Sequence, residues 1–213
     1  MADVFNRNLE RSITNYHIPH FFKMSWIYEL PIGPNKLLNL GGVAGKVIGG
    51  WQITGSHTIR AGNPVSISTG GINLPTGNAV RPDLVAGQSI TTGAEPVINF
   101  RGIAGASTYL NRNAFTNPPV FAGGQNIVQR LGTVGPYLPN IRDRHLVSED
   151  LSIQKVFRID EFKNFELRGT FQNPFNRHGI GGLNTNITSP FFGQFTGQQV
   201  GPRNIEIALR FGF

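Results

Sequence analysis

Large apolar and polar residues alternate with a period of two along about five separate stretches of the chain. The clearest is C-terminal, where Ile205, Ile207, Leu209, Phe211 and Phe213 are separated by Glu206, Ala208, Arg210 and Gly212. Successive side chains of an extended chain point to opposite faces, so this spacing gathers the large apolar groups on one face and the charges on the other. Phe165, Leu167, Gly169 and Phe171 alternate likewise with Glu166, Arg168, Thr170 and Gln172. Leu151, Ile153, Phe157 and Ile159 alternate with Asp150, Ser152, Gln154 and Arg158, and Lys155 is the one breach. A short turn around Asp160-Glu161 joins these last two stretches into a predicted hairpin. Nearer the N-terminus, Phe22, Met24, Trp26, Tyr28 and Leu30 oppose Phe21, Lys23, Ser25, Ile27 and Glu29. Trp51, Ile53, Gly55, His57 and Ile59 then oppose Gln52, Thr54, Ser56, Thr58 and Arg60.

These strands approach the ~9–11 residues that a tilted membrane strand requires, whereas strands of soluble proteins centre on about five or six. The connections are uneven. Residues 70–147 form one long segment rich in Gly, Pro and Asn without sustained periodicity, and residues 180–202 form a shorter one. Residues 31–50 are intermediate and are expected to hold one helical turn around Lys36–Leu40. If the C-terminus is periplasmic, counting back along the strands puts both long segments on the extracellular side, the arrangement of outer-membrane barrels.

An apolar face of this kind can pack on a second sheet in a soluble sandwich or meet lipid in a barrel whose polar face lines a lumen. Strand length, loop asymmetry and the aromatics near predicted strand ends, Tyr28, Trp51, Phe157, Phe165 and Phe213, favour the membrane. The predicted fold is therefore all-β: an antiparallel, up-and-down membrane β-barrel segment, incomplete as a barrel by itself. About eight strands make the smallest usual closed barrel, and five leave two unpaired edges.

Composition narrows the function further. Gly and Pro number 27 and 14 and charged residues are only 15%, as suits an ordered, turn-rich chain rather than a helical bundle. The absence of cysteine excludes disulfides, thiolate metal sites and Cys nucleophiles. The net charge of +7 is not gathered into Lys/Arg clusters or a known nucleic-acid module, so no nucleic-acid partner is expected. The run Ile18–Tyr28 is broken by Pro19, His20 and Lys23, too soon for a transmembrane helix. Met1–Asn8 lacks the basic start and apolar stretch of a secretory signal.

Motifs for chemistry are missing as well. Gly41–Val47 resembles a phosphate-binding loop only in passing, because Leu40 and Val47 stand where Gly and Ser or Thr are needed. His17, His20, His57, His145 and His178 show no metal-ligand spacing, and no nucleophile elbow is present. The chain is expected to be no enzyme and to hold no cofactor or metal. Among charged residues, Arg60, Glu166, Arg168, Glu206 and Arg210 are the candidates to face a lumen. There they would line a solute path, or pair across strands and hold a plug.

A series of short motifs carries a family resemblance. Ile18-Pro19-His20, Tyr28-Glu29-Leu30-Pro31 and Gly49-Gly50-Trp51-Gln52-Ile53-Thr54-Gly55 come first. Gly62-Asn63-Pro64-Val65-Ser66-Ile67, Arg81-Pro82-Asp83, Leu110-Asn111-Arg112-Asn113-Ala114-Phe115 and Asp150-Leu151-Ser152-Ile153-Gln154-Lys155 follow. Glu166-Leu167-Arg168, Asn173-Pro174-Phe175-Asn176, Phe192-Gly193-Gln194 and the terminal Phe213 close the series. In this order they resemble the late barrel strands of TonB-dependent outer-membrane receptors, in particular the Oar-like group with an N-terminal carboxypeptidase-regulatory-like domain. The motifs run from Ile18 to Phe213, so the resemblance spans nearly the whole chain, and residues 1–213 are expected to form the C-terminal part of such a barrel.

It implies a parent barrel of about 22 strands around a plug, in the bacterial outer membrane, energised by TonB through an N-terminal box. Neither plug nor box is in this sequence, so the chain resembles the C-terminal quarter of a receptor. The implied partners are outer-membrane lipid, the rest of the barrel and plug, and the barrel-assembly machinery, with TonB reached only through the missing N-terminal region. Ile207, Leu209, Phe211 and Phe213 resemble the terminal signal that the assembly machinery reads. The alternative is an independent all-β surface protein whose open edges pair with other copies.

Overall fold

The computed structural model describes residues 6–72, 74, 80–99, 101–103, 107–123 and 126–213. They form two compact units, each drawn from several parts of the chain.

The sheet unit comprises residues 20–60, 146–178 and 200–213. Its strands are β1 (Phe21–Glu29), β2 (Trp51–Arg60), β7 (Leu146–Arg158), β8 (Asn164–Gln172) and β11 (Asn204–Gly212). They pair in the order β1-β2-β7-β8-β11, every pair antiparallel and each strand beside its predecessor in the unit. The sheet is an open meander: among the described residues nothing pairs with the outer edge of β1 or of β11. The predicted strands and the all-β class are borne out, with strand lengths of 9, 10, 13, 9 and 9 residues.

The β7–β8 turn closes as expected. The Asp160 carboxylate accepts from the amides of Phe162 and Lys163 at 2.9 and 2.7 Å, an Asx-type turn that fixes the register pairing Phe157 with Phe165. Strand β7 ends at Arg158, so Ile159 belongs to the turn and not to the apolar alternation.

Between β1 and β2 the single helix α1 spans Gly42–Ile48, later in the chain than the turn expected around Lys36–Leu40. Gly45 and Gly49 decide its position. A Cβ on Gly45 would lie 1.9 Å from the Leu40 carbonyl oxygen, and one on Gly49 2.8 Å from the Gly33 Cα, so the helix can pack this closely on residues 31–40 only where side chains are missing. Among the described residues no helix is long and apolar enough to cross a membrane, which bears on helices alone.

The second unit is drawn from residues 1–19, 61–145 and 179–199. It contains short two-stranded ladders: β3 (Pro64–Val65) with β6 (Leu138–Arg142), β4 (Asp83–Leu84) with β5 (Phe115–Thr116), and β9 (Ile180–Leu183) with β10 (Phe195–Gln198). The segments that sequence reading leaves as aperiodic connections thus pack a core of their own. Val65, Ile67, Leu110, Ala114, Phe115, Val134, Leu138, Ile187 and Phe192 make one buried cluster, with Phe115 edge-on to Phe192 at 5.7 Å. Aperiodic pieces supply these residues singly, which is why no repeat announces them.

Beside that cluster, both Arg130 guanidinium nitrogens donate to the Asp83 carboxylate at 2.8 and 2.7 Å, and the Thr133 amide donates to it at 3.0 Å. The Arg130 hydrogen bonds are the main cause holding the Asp83 carboxyl below its usual value of 3.8, against the opposing effect of burial. A depressed carboxyl contributes its full stabilisation above the ordinary value and loses it as pH falls through the folded value. Amides around Asp83, those of Leu84 and Thr133 included, should therefore lose exchange protection as pH is lowered below about 4. Arg130→Gln should lower protection at neutral pH and flatten that acid dependence. Equal acid dependence in the two proteins would contradict the role given to the pair.

Candidate functional site: two faces of one sheet

Strand register turns five separate alternations into two continuous faces. Trp26 lies opposite Gly55, Gly55 opposite Leu151, Leu151 opposite Phe171 and Phe171 opposite Ile205, so one row of the apolar face runs across all five strands. Another row joins Tyr28, Ile53, Ile153, Gly169 and Ile207. Among the described residues of the sheet unit, most of this face is uncovered away from the end of α1: Ile207 and Leu209 are 72% and 66% exposed, and Phe22, Met24, Tyr28 and Ile205 are exposed too. All the fully buried apolar side chains among the described residues belong to the other unit. A water-exposed sheet would thus bury its hydrophobic stripe nowhere, which reverses the usual arrangement of a soluble domain.

The terminal residues follow the same division. Ile207, Leu209 and Phe211 lie on the apolar face, paired with Gly169, Leu167 and Phe165. Phe213 follows the end of β11, 94% exposed, with its ring 6.2 Å from that of Phe211. At the short-turn end of the sheet Tyr28, Trp51, Phe157, Phe165 and Phe211 share the apolar face, and the Phe157 and Phe165 rings stand 6.0 Å apart. This places an aromatic band where the strands finish, the position at which amphipathic rings favour a headgroup boundary.

The opposite face is mostly polar, although Phe21, Ile27 and Leu146 also lie on it. Thr54 hydrogen-bonds Ser152 across the β2–β7 pair, and Gln154 donates to Gln52. Glu166 and Arg168 form an ion pair at 2.9 Å along β8, and Arg210 lies opposite Glu166 in the register. These three line a shallow depression with Ala208. Glu206 is on the same face but opposite Thr170, and Arg60 stands apart at the far end of β2 opposite Phe21 and Leu146. The five candidate charges therefore share a face, and only Glu166, Arg168 and Arg210 are brought together. Val156 also falls on this side, opposite Glu166, a departure from strict alternation that sequence reading passes over.

The partners of two polar features on the apolar face escape sequence reading. The first lies toward the long-connection end. The Trp26 indole N–H donates to His57 Nε2 at 3.0 Å, His57 Nδ1 lies 3.5 Å from Glu149 Oε1, and Arg177 Nε donates to Glu149 Oε2. Gly55 makes room for this network, since a Cβ there would sit 2.3 Å from the Trp26 ring. Arg177 is presented by a turn in which Asn173, at φ 48°, accepts from the Arg177 amide at 2.7 Å. With both carboxylate oxygens engaged, Glu149 is tolerated on an otherwise apolar surface near its edge.

The second is Lys155, the breach in the β7 pattern. Its side chain is 4% exposed, and Nζ donates to the carbonyls of Lys46 and Val47 at 2.6 and 2.8 Å and to that of Gly49. Those carbonyls form the C-terminal end of α1, where a helix leaves acceptors unsatisfied and carries partial negative charge. The ammonium also lies 4.6 Å from the Phe157 ring centre and 5.8 Å from that of Trp51. The only signal of this role in the sequence is the breach itself: a lysine inside an apolar alternation needs a partner.

Comparison with known proteins agrees with this geometry. A family model described as an outer membrane beta barrel domain matches residues 1–206. The match ends just before Ile207 and so leaves the last part of β11 to the geometry alone. No curated protein and no solved structure matches the chain.

Proposed function

This chain belongs to the outer membrane beta barrel domain family and is an outer-membrane barrel protein of bacteria; from that premise we propose that it is the C-terminal barrel segment of a TonB-dependent receptor and a structural part of an uptake system. The observation that carries the proposal is the open meander, with one face apolar and largely uncovered, the other mostly polar, and both edges unpaired among the described residues. In hydrocarbon each unsatisfied backbone group costs several kcal/mol, so such a sheet needs neighbouring strands at both edges. The ordered motifs from Ile18-Pro19-His20 to Phe192-Gly193-Gln194 support the receptor identity, because they resemble the late strands of that group in sequence order.

In this reading the long connections lie outside the cell and the turn at residues 159–163 faces the periplasm. The polar face lines the lumen, where Glu166, Arg168 and Arg210 meet the plug or one another and Arg60 and Glu206 line the same wall. The chain contributes no catalysis and holds no cofactor. Its partners are outer-membrane lipid, the remaining barrel strands and plug, and the assembly machinery, while TonB engages the parent through its N-terminal region. Ile207, Leu209, Phe211 and Phe213 act as the assembly signal as well as lipid contacts.

Isolation of the protein from outer membranes should yield a polypeptide with a plug domain ahead of this segment that cross-links to TonB. A closed assembly made of several copies of this chain, with no plug, would overturn the receptor reading in favour of self-association. In the parent protein, deletion of Phe213 should sharply lower the amount assembled at the surface. Unchanged assembly would remove the signalling role and leave lipid contact as the function of that end.

A further inference from the structure

We propose that the β1–β2 connection carries an interfacial helix, α1, that docks on the periplasmic leaflet of the outer membrane with Lys155 as its anchor. The inference rests on the family reading above, which gives the sheet a lipid-facing side, and adds a second, separate lipid contact to it.

Four observations converge. Lys155 and Trp51 occupy the apolar face at the short-turn end, opposite each other in the register. Both reach the same end of α1, for the Val47 carbonyl accepts from Lys155 Nζ at 2.8 Å and from the Trp51 indole N–H at 3.3 Å. The helix C-terminus is therefore held over the lipid-facing side of the sheet. Its large side chains then point away from protein: Val43 is 79% exposed, and Val47, Ile48 and the preceding Leu37 are exposed as well. The C-terminal end of α1 is thereby tied to Trp51 and, through Lys155, set beside Phe157, two members of the aromatic band.

The helix has 7 residues, and isolated helices shorter than ~12–15 residues are marginal in water. It needs a fixed partner at its end and a surface for its apolar side. Three carbonyls around one ammonium supply the first and also satisfy a lysine buried on the apolar face. A bilayer interface supplies the second, with Lys46 in the last turn of α1 available to anionic headgroups. The occupant is phospholipid of the inner leaflet.

The test uses the full barrel protein containing this chain, free of other cysteines and reconstituted in phosphatidylethanolamine–phosphatidylglycerol vesicles. A fluorophore is placed through Val43→Cys or, as a reference for the sheet, Ile207→Cys. Lipids spin-labelled near the headgroup should quench the Val43 label about twofold, with weaker quenching by labels at the acyl terminus, as suits a helix buried about 5–10 Å. Lys155→Met should abolish that quenching and leave the Ile207 signal unchanged. Quenching at Val43 by aqueous iodide alone, or by neither agent, would overturn the proposal by placing water or protein on the helix. Loss of lipid quenching at Ile207 as well would show that the lipid-facing reading of the sheet has failed, whereas its retention confines the failure to the helix.

Discussion

A largely uncovered apolar face on the five-stranded sheet of an outer-membrane barrel protein is the constraint on which the remaining structure depends. A soluble protein of this size would fold its β-strands around their apolar side, because burial of apolar surface is the main favourable contribution to folding. Here the side chains that fill a core come from the connections, Ile67, Leu110, Phe115 and Phe192 among them, while Ile205, Ile207 and Leu209 on the clearest alternation remain uncovered. Both arrangements follow from one rule applied in two solvents. In hydrocarbon the strands gain nothing by turning inward, and in water the connections must bury whatever apolar groups they carry.

The same constraint decides which polar groups the apolar face can accept. Each one there has a partner that removes its cost: Glu149 is engaged by Arg177 and His57, and Lys155 by the carbonyl end of a helix. On the polar face no such economy is imposed, and charges such as Glu166, Arg168 and Arg210 can sit beside one another in contact with water.

What could be read from the sequence, and what could not, follows from how far each interaction reaches. Period two is local, so β1, β2, β7, β8 and β11 and the turn at Asp160 are legible from residue order. The two faces were equally legible, since register only joins alternations already present in each strand. The core of the long connections was hidden because Val65, Val134 and Ile187 lie far apart in the chain and share no repeat. Helix α1 was displaced from its expected place because two glycines needed for close packing, rather than helix propensity, position it. Lys155 could be noticed but not explained without knowing that a helix end lay above it.

The central claim is best tested by placing the same charge on two adjacent residues of β11, using the full barrel protein folded reversibly in phospholipid vesicles. Ile207 and Glu206 are neighbours on opposite faces of the sheet. Ile207→Arg should destabilise the folded barrel by about 2–4 kcal/mol, the cost of arginine at lipid depth, and Glu206→Arg by less than about 1 kcal/mol. Equal costs, or a greater cost at Glu206, would contradict the assignment of the apolar face to lipid.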